Sequence, residues 1–114
     1  MNNYDKELVK ALNSILPTYY ELVLHSGLKT PCISYMMLNN PAAITGDTLE
    51  YSTVSYQVKV WGNRIGDLKN YALNIDKALR PLGFKRRGVT ELHDRESTMI
   101  QIIMTYEANA LEEV

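Results

Sequence analysis

The chain has little that cross-links or rigidifies a small protein, with one cysteine, four prolines and six glycines among 114 residues. A single cysteine, Cys32, excludes an internal disulfide and leaves no paired spacing for a zinc site. We therefore expect a reducing compartment and no metal or cofactor. An apolar core must stabilise the fold instead, and a hydrophobic content of 46% suffices for one domain over residues 1–114.

The sequence also lacks an excess of either charge and any long apolar run. Twelve Lys and Arg against 13 Asp and Glu give a net charge of -1, too little for non-specific binding to phosphates, so nucleic acid is not expected as the main ligand. The apolar runs are too short to cross a bilayer. Residues 1–10 carry Asp5 and Glu7 where a signal peptide needs an apolar core. We expect a soluble intracellular protein with no membrane partner.

Two segments have the apolar spacing of amphipathic helices. In residues 4–16 the apolar side chains that fall on one side of the helix are Leu8, Ala11, Leu12 and Ile15. In residues 65–79 they are Leu68, Tyr71, Ala72, Ile75, Ala78 and Leu79. The outer side of this second helix is predicted to carry Lys69, Asn70, Asp76 and Lys77. Pro17 ends the first helix, and Pro81 with Gly83 ends the second.

Strand patterns occupy residues 19–24, 31–38, 49–61, 84–92 and 97–106. In the clearest of them the core positions are Val54, Tyr56, Val58 and Val60, alternating with polar Ser55, Gln57 and Lys59. The last two strands predict a hairpin about residues 93–96, with Ile100, Ile102 and Met104 on one side. Turn-forming residues in 39–48 predict a flexible loop, and 108–114 a flexible tail.

The element order is therefore αβββαββ. It predicts an α+β fold, with two helices packed on one face of a mainly antiparallel sheet of about five strands.

Candidate chemistry is sparse. A nucleophile needs a base, so Cys32 with His25 or His93 is the constellation to test. We expect Cys32 to be a buried apolar residue of a strand, and both histidines to lie in solvated turns. Glu91, His93, Asp94 and Glu96 lack a recognised metal spacing. We therefore predict no catalytic, cofactor-binding or metal residues.

The glycines at 62 and 66 do not form a phosphate loop, because the Lys and the Ser or Thr that grip a nucleotide are missing. An ordinary strand-to-helix turn with Asn63 or Asp67 near the helix cap is expected instead.

Two surface features suggest binding. Lys85, Arg86 and Arg87 begin a strand, where alternation sends Lys85 and Arg87 to one face and Arg86 to the other. They either protect a sheet edge or contact acidic residues of a neighbouring subunit or passing DNA. Tyrosine is abundant, at eight residues, and tyrosines are enriched at interfaces. Tyr51, with Thr53 and Ser55 on the non-core side of the long strand, is expected to meet another chain.

Several of these patterns together resemble the small tail-completion, or tail-terminator, proteins of siphophages and prophages. The resemblance rests on residues 30–35 (TPCISY), Asn39-Asn40-Pro41, residues 56–61 (YQVKVW), the helix 65–79, residues 82–86 (LGFKR) and a closing strand that ends at Tyr106.

The resemblance implies a virion structural protein, not an enzyme, that caps the tail tube and joins it to the head as a hexameric ring. The partners would be other copies of the chain, the tail tube protein and a head-completion or connector protein, with DNA only as passing cargo. The location would be the virion tail at the head–tail interface, and the host cytoplasm during assembly. In this family the loop matching residues 39–49 settles during assembly, and we expect a neighbour to bury Ile44.

The residues expected at protein interfaces are Asn39, Asn40, Ile44, Asp47, Tyr51, Thr53, Ser55, Lys85, Arg86 and Arg87. Two alternatives remain open. One is a small ligand-binding or regulatory α+β module with a polar groove. The other is an enzyme that uses Cys32 and a histidine.

Overall fold

The computed structural model describes residues 4–21, 29–39 and 53–109. The helices are α1 (Tyr4–Asn13) and α2 (Ile65–Leu79), and a short 3-10 helix (Arg80–Leu82) follows α2. The strands are β1 (Thr18–Tyr20), β2 (Cys32–Asn39), β3 (Thr53–Gly62), β4 (Lys85–His93) and β5 (Ile100–Asn109). The predicted element order and α+β class are confirmed.

The strands form one mixed sheet in the order β1-β2-β3-β5-β4. β1 pairs with β2 in parallel, and the other three pairings are antiparallel. β3 and β5 lie in the middle and share the longest ladder, from Thr53 opposite Asn109 to Gly62 opposite Ile100. The predicted β4–β5 hairpin is confirmed, with its turn at residues 94–99.

Both helices lie on one side of the sheet, as the apolar spacing predicts. Leu8 and Leu12 of α1 and the apolar stripe of α2 are buried in one cluster with alternate residues of the sheet. The strand residues of this cluster are Ile33, Val54, Tyr56, Val58, Val60, Ile100, Ile102, Met104, Tyr106 and Ala108. The hydroxyl of Tyr56 also donates a hydrogen bond to the Asp5 carboxylate, which ties α1 to β3.

Helix ends follow local chemistry. α1 stops at Asn13, earlier than the predicted residue 16, and Ser14 to Leu16 form a turn before Pro17. α2 has the predicted bounds. Its N-cap residue is Arg64, with no side-chain cap, and Asn63 and Asp67 lie near this end of the helix as expected. After α2, Gly83 adopts a φ of 97°, a left-handed conformation that glycine reaches without a Cβ clash, and the chain turns into β4.

Several strand bounds differ from the sequence pattern. β5 continues to Asn109 with Ala108 buried, two residues into the segment predicted as a flexible tail. Asn39 ends β2, although it was expected to begin the flexible loop. In both cases a strand partner, Val54 for Ala108 and Ser55 for Asn39, extends the ladder beyond what composition indicates. Residues 22–24, 40–52 and 110–114 of the predicted strands, loop and tail lie outside the described residues.

Candidate protein-interaction surface

We call the side of the sheet opposite the helices the open face, because neither described helix covers it. Directly paired residues share a side of a sheet, so the registers define its members: Cys32, Ser34 and Met36 of β2; Ser55, Gln57, Lys59 and Trp61 of β3; Gln101, Ile103, Thr105 and Glu107 of β5; and Lys85, Gly88, Thr90 and Leu92 of β4. The members on β3 and β5 are all half-buried.

The middle of the open face is mixed apolar and polar. Met36 lies opposite Gln57, which lies opposite Thr105, while Ile103 lies between Lys59 and Thr90. Gly88 adds no side chain to the open face, and nothing lies within 4 Å of where its Cβ would be. Such a composition, with apolar contacts among hydrogen-bonding groups, is compatible with binding another protein.

One corner of the open face is fixed by its own contacts. The Trp61 indole Nε1–H donates to Oγ of the buried Ser34 at 2.9 Å. Lys59 Nζ lies 3.1 Å from Glu21 Oε2 and 5.7 Å from the centroid of the Trp61 ring. A hydrogen bond, an ion pair and a cation–π contact therefore hold this corner in one arrangement.

The structure does not bring Cys32 and His93 together. Cys32 is 3% exposed, as predicted, and burial raises the pKa of its thiol. Cys32 lies in one cross-strand row with Trp61, Gln101 and Leu92. Leu92, the neighbour of His93 in the chain, is three strand spacings from Cys32, or about 14 Å. His93 is opposite Ile100 and therefore points to the helix side. His25, the other proposed base, lies outside the described residues.

His93 and Asp94, at the start of the β4–β5 turn, both make local contacts. His93 Nε2 lies 2.9 Å from Glu91 Oε1. Asp94 accepts hydrogen bonds from the Ser97 hydroxyl at 2.6 Å and from the Glu96 backbone N–H at 3.2 Å, and these bonds lower the pKa of its carboxyl. Within residues 4–21, 29–39 and 53–109, no three His, Cys, Asp or Glu side chains group so as to hold a metal ion.

The basic cluster begins β4, the strand at one edge of the sheet. Lys85 is opposite Glu107, and Arg87 Nε donates to Glu107 Oε1 at 2.9 Å, so both lie on the open face. Arg86 is opposite Tyr106, on the helix side. The predicted split between the two faces is thus confirmed, although a bulge between Arg86 and Gly88 interrupts the alternation.

β4 as a whole is unusually open. All nine of its residues are exposed, and its apolar members Val89 and Leu92 are 51% and 48% exposed. The sequence of residues 84–92 lacks the strict alternation of β3, and its basic start suggests a sheet edge, but it does not predict that Val89 and Leu92 are exposed. They are exposed because neither helix reaches over the sheet edge.

α2 carries a buried polar group, Asp76, that its apolar spacing does not indicate. Asp76 is 7% exposed, so its predicted place on the outer side of the helix is wrong. Its carboxylate accepts hydrogen bonds from the Tyr106 hydroxyl at 3.1 Å and from Arg80 Nη2 at 2.6 Å. Helical periodicity could not find it, because one of its two partners, Tyr106, is 30 residues away.

The groups around Asp76 keep its buried carboxyl ionised. Burial by itself raises the pKa of this carboxyl, but the hydrogen bonds from Arg80 and Tyr106 and the charges of Arg80 and Arg86 outweigh it and hold the pKa below its ordinary value. Burial and the neighbouring Asp76 charge raise the pKa of Tyr106 well above its ordinary value. Asp76 is therefore ionised and Tyr106 neutral at pH 7, the states that suit their hydrogen bond.

Beside Asp76, the end of α2 borders a shallow open groove lined by Leu73, Asp76, Lys77, Arg80 and Pro81. Leu73 is 52% exposed. The groove combines an apolar floor with charges of both signs.

The remaining predicted interface residues are placed only in part. Ser55 is half-buried on the open face, opposite Glu107. Asn39 and Thr53 are strand residues whose backbones alone are described. Asn40, Ile44, Asp47 and Tyr51 lie outside the described residues, so the structure tests none of these four predictions.

The fold and this surface define a small α+β protein in which two helices cover one face of a five-stranded sheet. No protein-family model matches the chain, and no curated protein sequence matches it. None of the helices in the described ranges is long and apolar enough to span a membrane.

Proposed function

We propose that this protein is a phage virion structural protein that caps the tail tube and joins it to the head by assembling into a ring. The observation that carries the proposal is the open face, a surface with half-buried Met36, Trp61 and Ile103 that neither described helix covers. The motif resemblance to tail-completion proteins supports the same role. Partner copies, the tail tube protein and a head-completion or connector protein would share the surfaces.

The size of the open face limits what it can do alone. Four strands spaced about 4.8 Å apart, over about seven residues each, span at most on the order of 450 Å², because Cys32 and Ser34 on β2 are themselves buried. A stable contact buries about 800 Å² on each partner. The open face therefore accounts for at most about half of one subunit contact, and the segment with Ile44 and Tyr51 is proposed to add the rest.

A non-enzymatic role is part of the proposal. It is supported by the burial of Cys32, by the raised pKa of its thiol, and by the distance of His93 from it. DNA enters only as passing cargo, since the net charge is -1 and Arg87 is paired with Glu107. Replacing Cys32 with Ala is expected to leave head–tail joining intact, and loss of joining in a variant that still folds would contradict this.

The test is electron microscopy of a phage or induced prophage from which the gene has been deleted. We expect filled heads without tails and free tails of abnormal length, because nothing would cap the tube or join it to the head. Expression of the wild-type chain from a plasmid should restore joined particles, which excludes effects on neighbouring genes. Normal joined particles in the deletion strain would refute the proposal.

A small ligand-binding or regulatory module is the second candidate, favoured by the groove at the end of α2. Leu73 and Pro81 provide apolar contact there, and Lys77 and Arg80 could bind an anionic group. A thermal-shift screen of small metabolites separates the two candidates, because a ligand of this groove raises the Tm. Replacing Lys77 with Glu should abolish that shift. If no metabolite changes the Tm, the ligand-binding candidate is excluded.

A further inference from the structure

β4 is a long free strand edge. One side of β4 pairs with β5, and no other strand of the described ranges pairs with its second side. Its nine residues, about 30 Å of backbone, are all exposed. Free edges of this length readily accept another strand, and proteins usually shorten, cover or charge them. Here the edge is neither short nor covered by the described elements, so its charges decide what can pair with it.

The charges along β4 are divided by sign. Lys85 and Arg86 lie at its start, and Glu91 lies near its end, on either side of the apolar Val89. Arg87, the third basic residue, is already paired with Glu107 of its own chain. Glu91 contacts Nε2 of His93 at 2.9 Å, which neutralises the Glu91 charge only when His93 is protonated. A uniform charge would repel a second copy of the strand, whereas a basic start and an acidic end attract the same strand running in the opposite direction.

The faces of the sheet select one register for such a pairing. Val89, Arg86 and Glu91 lie on the helix side, because they are opposite Met104, Tyr106 and Ile102. An antiparallel pairing centred on Val89, with the bulged Arg87 left out of the ladder, places Arg86 opposite Glu91 of a second copy. Lys85 then lies opposite Leu92, and all paired side chains share a face, as ladder geometry requires.

We propose that two copies of the protein pair through the free edges of β4, antiparallel and centred on Val89, to form one continuous sheet of ten strands. Symmetry gives two Arg86–Glu91 pairs, and the two Val89 side chains meet on the axis. A two-fold contact of this kind is closed, so it makes a dimer and does not by itself build a ring. The dimer is thus a property of the free protein, separate from the proposed role in the virion.

Disulfide trapping tests the register. In a Cys32→Ala background, Val89→Cys places two thiols across the axis, with Cα atoms about 4.5–5.5 Å apart, within the range of about 4.4–6.8 Å that a disulfide spans. The matched control is Leu92→Cys, which is similarly exposed on the same strand. In this register the Cα atoms of residue 92 in the two copies lie about 20 Å apart. Mild oxidation should cross-link the Val89→Cys protein and leave the Leu92→Cys protein monomeric on a non-reducing gel.

A charge exchange tests the pairing energy. Sedimentation equilibrium should give a dimer for the wild type at low salt. Glu91→Arg should weaken the dimer about thirtyfold, because two attractive cross-strand pairs become repulsive. Arg86→Glu should do the same, and the double variant should regain most of the lost affinity. Glu7→Arg and Lys69→Glu change the same charges on exposed helix positions and should leave the dimer unchanged.

Melting curves of each variant establish that it folds, which matters most for Arg86→Glu because Arg86 also acts on Asp76 of its own chain. A wild-type protein that is monomeric at all concentrations would overturn the dimer. So would equal cross-linking of the two cysteine variants, or a double exchange that fails to restore affinity. These measurements use the isolated protein, so their failure would leave the deletion-phage test of the proposed function unaffected.

Discussion

Replacing Tyr106 with Phe should destabilise the protein through a single lost hydrogen bond. The phenylalanine ring fills the same buried site, but the Asp76 carboxylate loses the donor that lies 3.1 Å from its Oδ1. A hydrogen bond to a charged group contributes about 1.5–3 kcal/mol, and we expect a loss of about 2 kcal/mol here because Asp76 is 7% exposed. For a domain of 114 residues this corresponds to a fall in Tm of about 8 °C.

The matched control is Tyr71→Phe. Tyr71 lies on α2 and packs against the same core, but its hydroxyl has no hydrogen-bond partner among the described residues. The free energy of unfolding, from urea titration followed by circular dichroism, should therefore change little in this variant. Equal stability of the Tyr106 and Tyr71 variants at pH 7 would refute the role of the buried hydrogen bond.

The effect of Tyr106→Phe should depend on pH. The pKa of Asp76 is lowered in the folded protein, so its ionised form contributes stability that is present above the unfolded pKa of about 3.9. That contribution is lost as the pH falls through the folded pKa. The difference between wild type and variant should be full above about pH 5 and should shrink below about pH 4. A difference that stays constant from pH 7 to pH 3 would contradict this assignment.

Two further predictions concern single positions. Gly62→Ala should lower the free energy of unfolding by about 1–3 kcal/mol, because the new Cβ would lie 2.8 Å from Cδ2 of the buried Leu68. The control is Gly66→Ala, whose Cβ would meet nothing within 4 Å and which should leave the Tm unchanged or raised. Equal Tm values for the two variants would contradict this clash. The Cys32 thiol should react slowly with Ellman's reagent at pH 8 in the folded protein and rapidly in urea, because burial both raises its pKa and blocks access of the reagent. Fast reaction of the folded protein would contradict the burial of Cys32.

The sequence predicted those parts of the fold whose signal is local. The alternation from Val54 to Val60 identified the core side of β3 because each position needs only its own side chain to be read. The bounds of α2 followed from its apolar spacing and the break after Leu79. The helix-covered face was therefore predictable, and so was the presence of a second, polar face.

Other features depend on contacts between distant residues, which periodicity cannot indicate. The parallel pairing of β1 with β2 and the place of β5 between β3 and β4 are set by packing. The apolar spacing of α2 assigns Asp76 to the polar side of the helix, because it does not indicate the bond from Tyr106, which belongs to another element. Likewise, the basic start of β4 suggested a sheet edge, but nothing local indicated that Val89 and Leu92 would also be exposed, since exposure depends on how far the helices reach.

The central claim, that the open face binds other virion proteins, is tested most directly by complementing the deletion phage with variants and counting joined particles in micrographs. Ile103→Lys places a charge in the middle of the open face, and Asn74→Lys places the same charge on the exposed side of α2. With both variants folded to the same Tm, we predict that Asn74→Lys restores joined particles and that Ile103→Lys leaves heads and tails apart. Joined particles at wild-type frequency with Ile103→Lys would contradict the account.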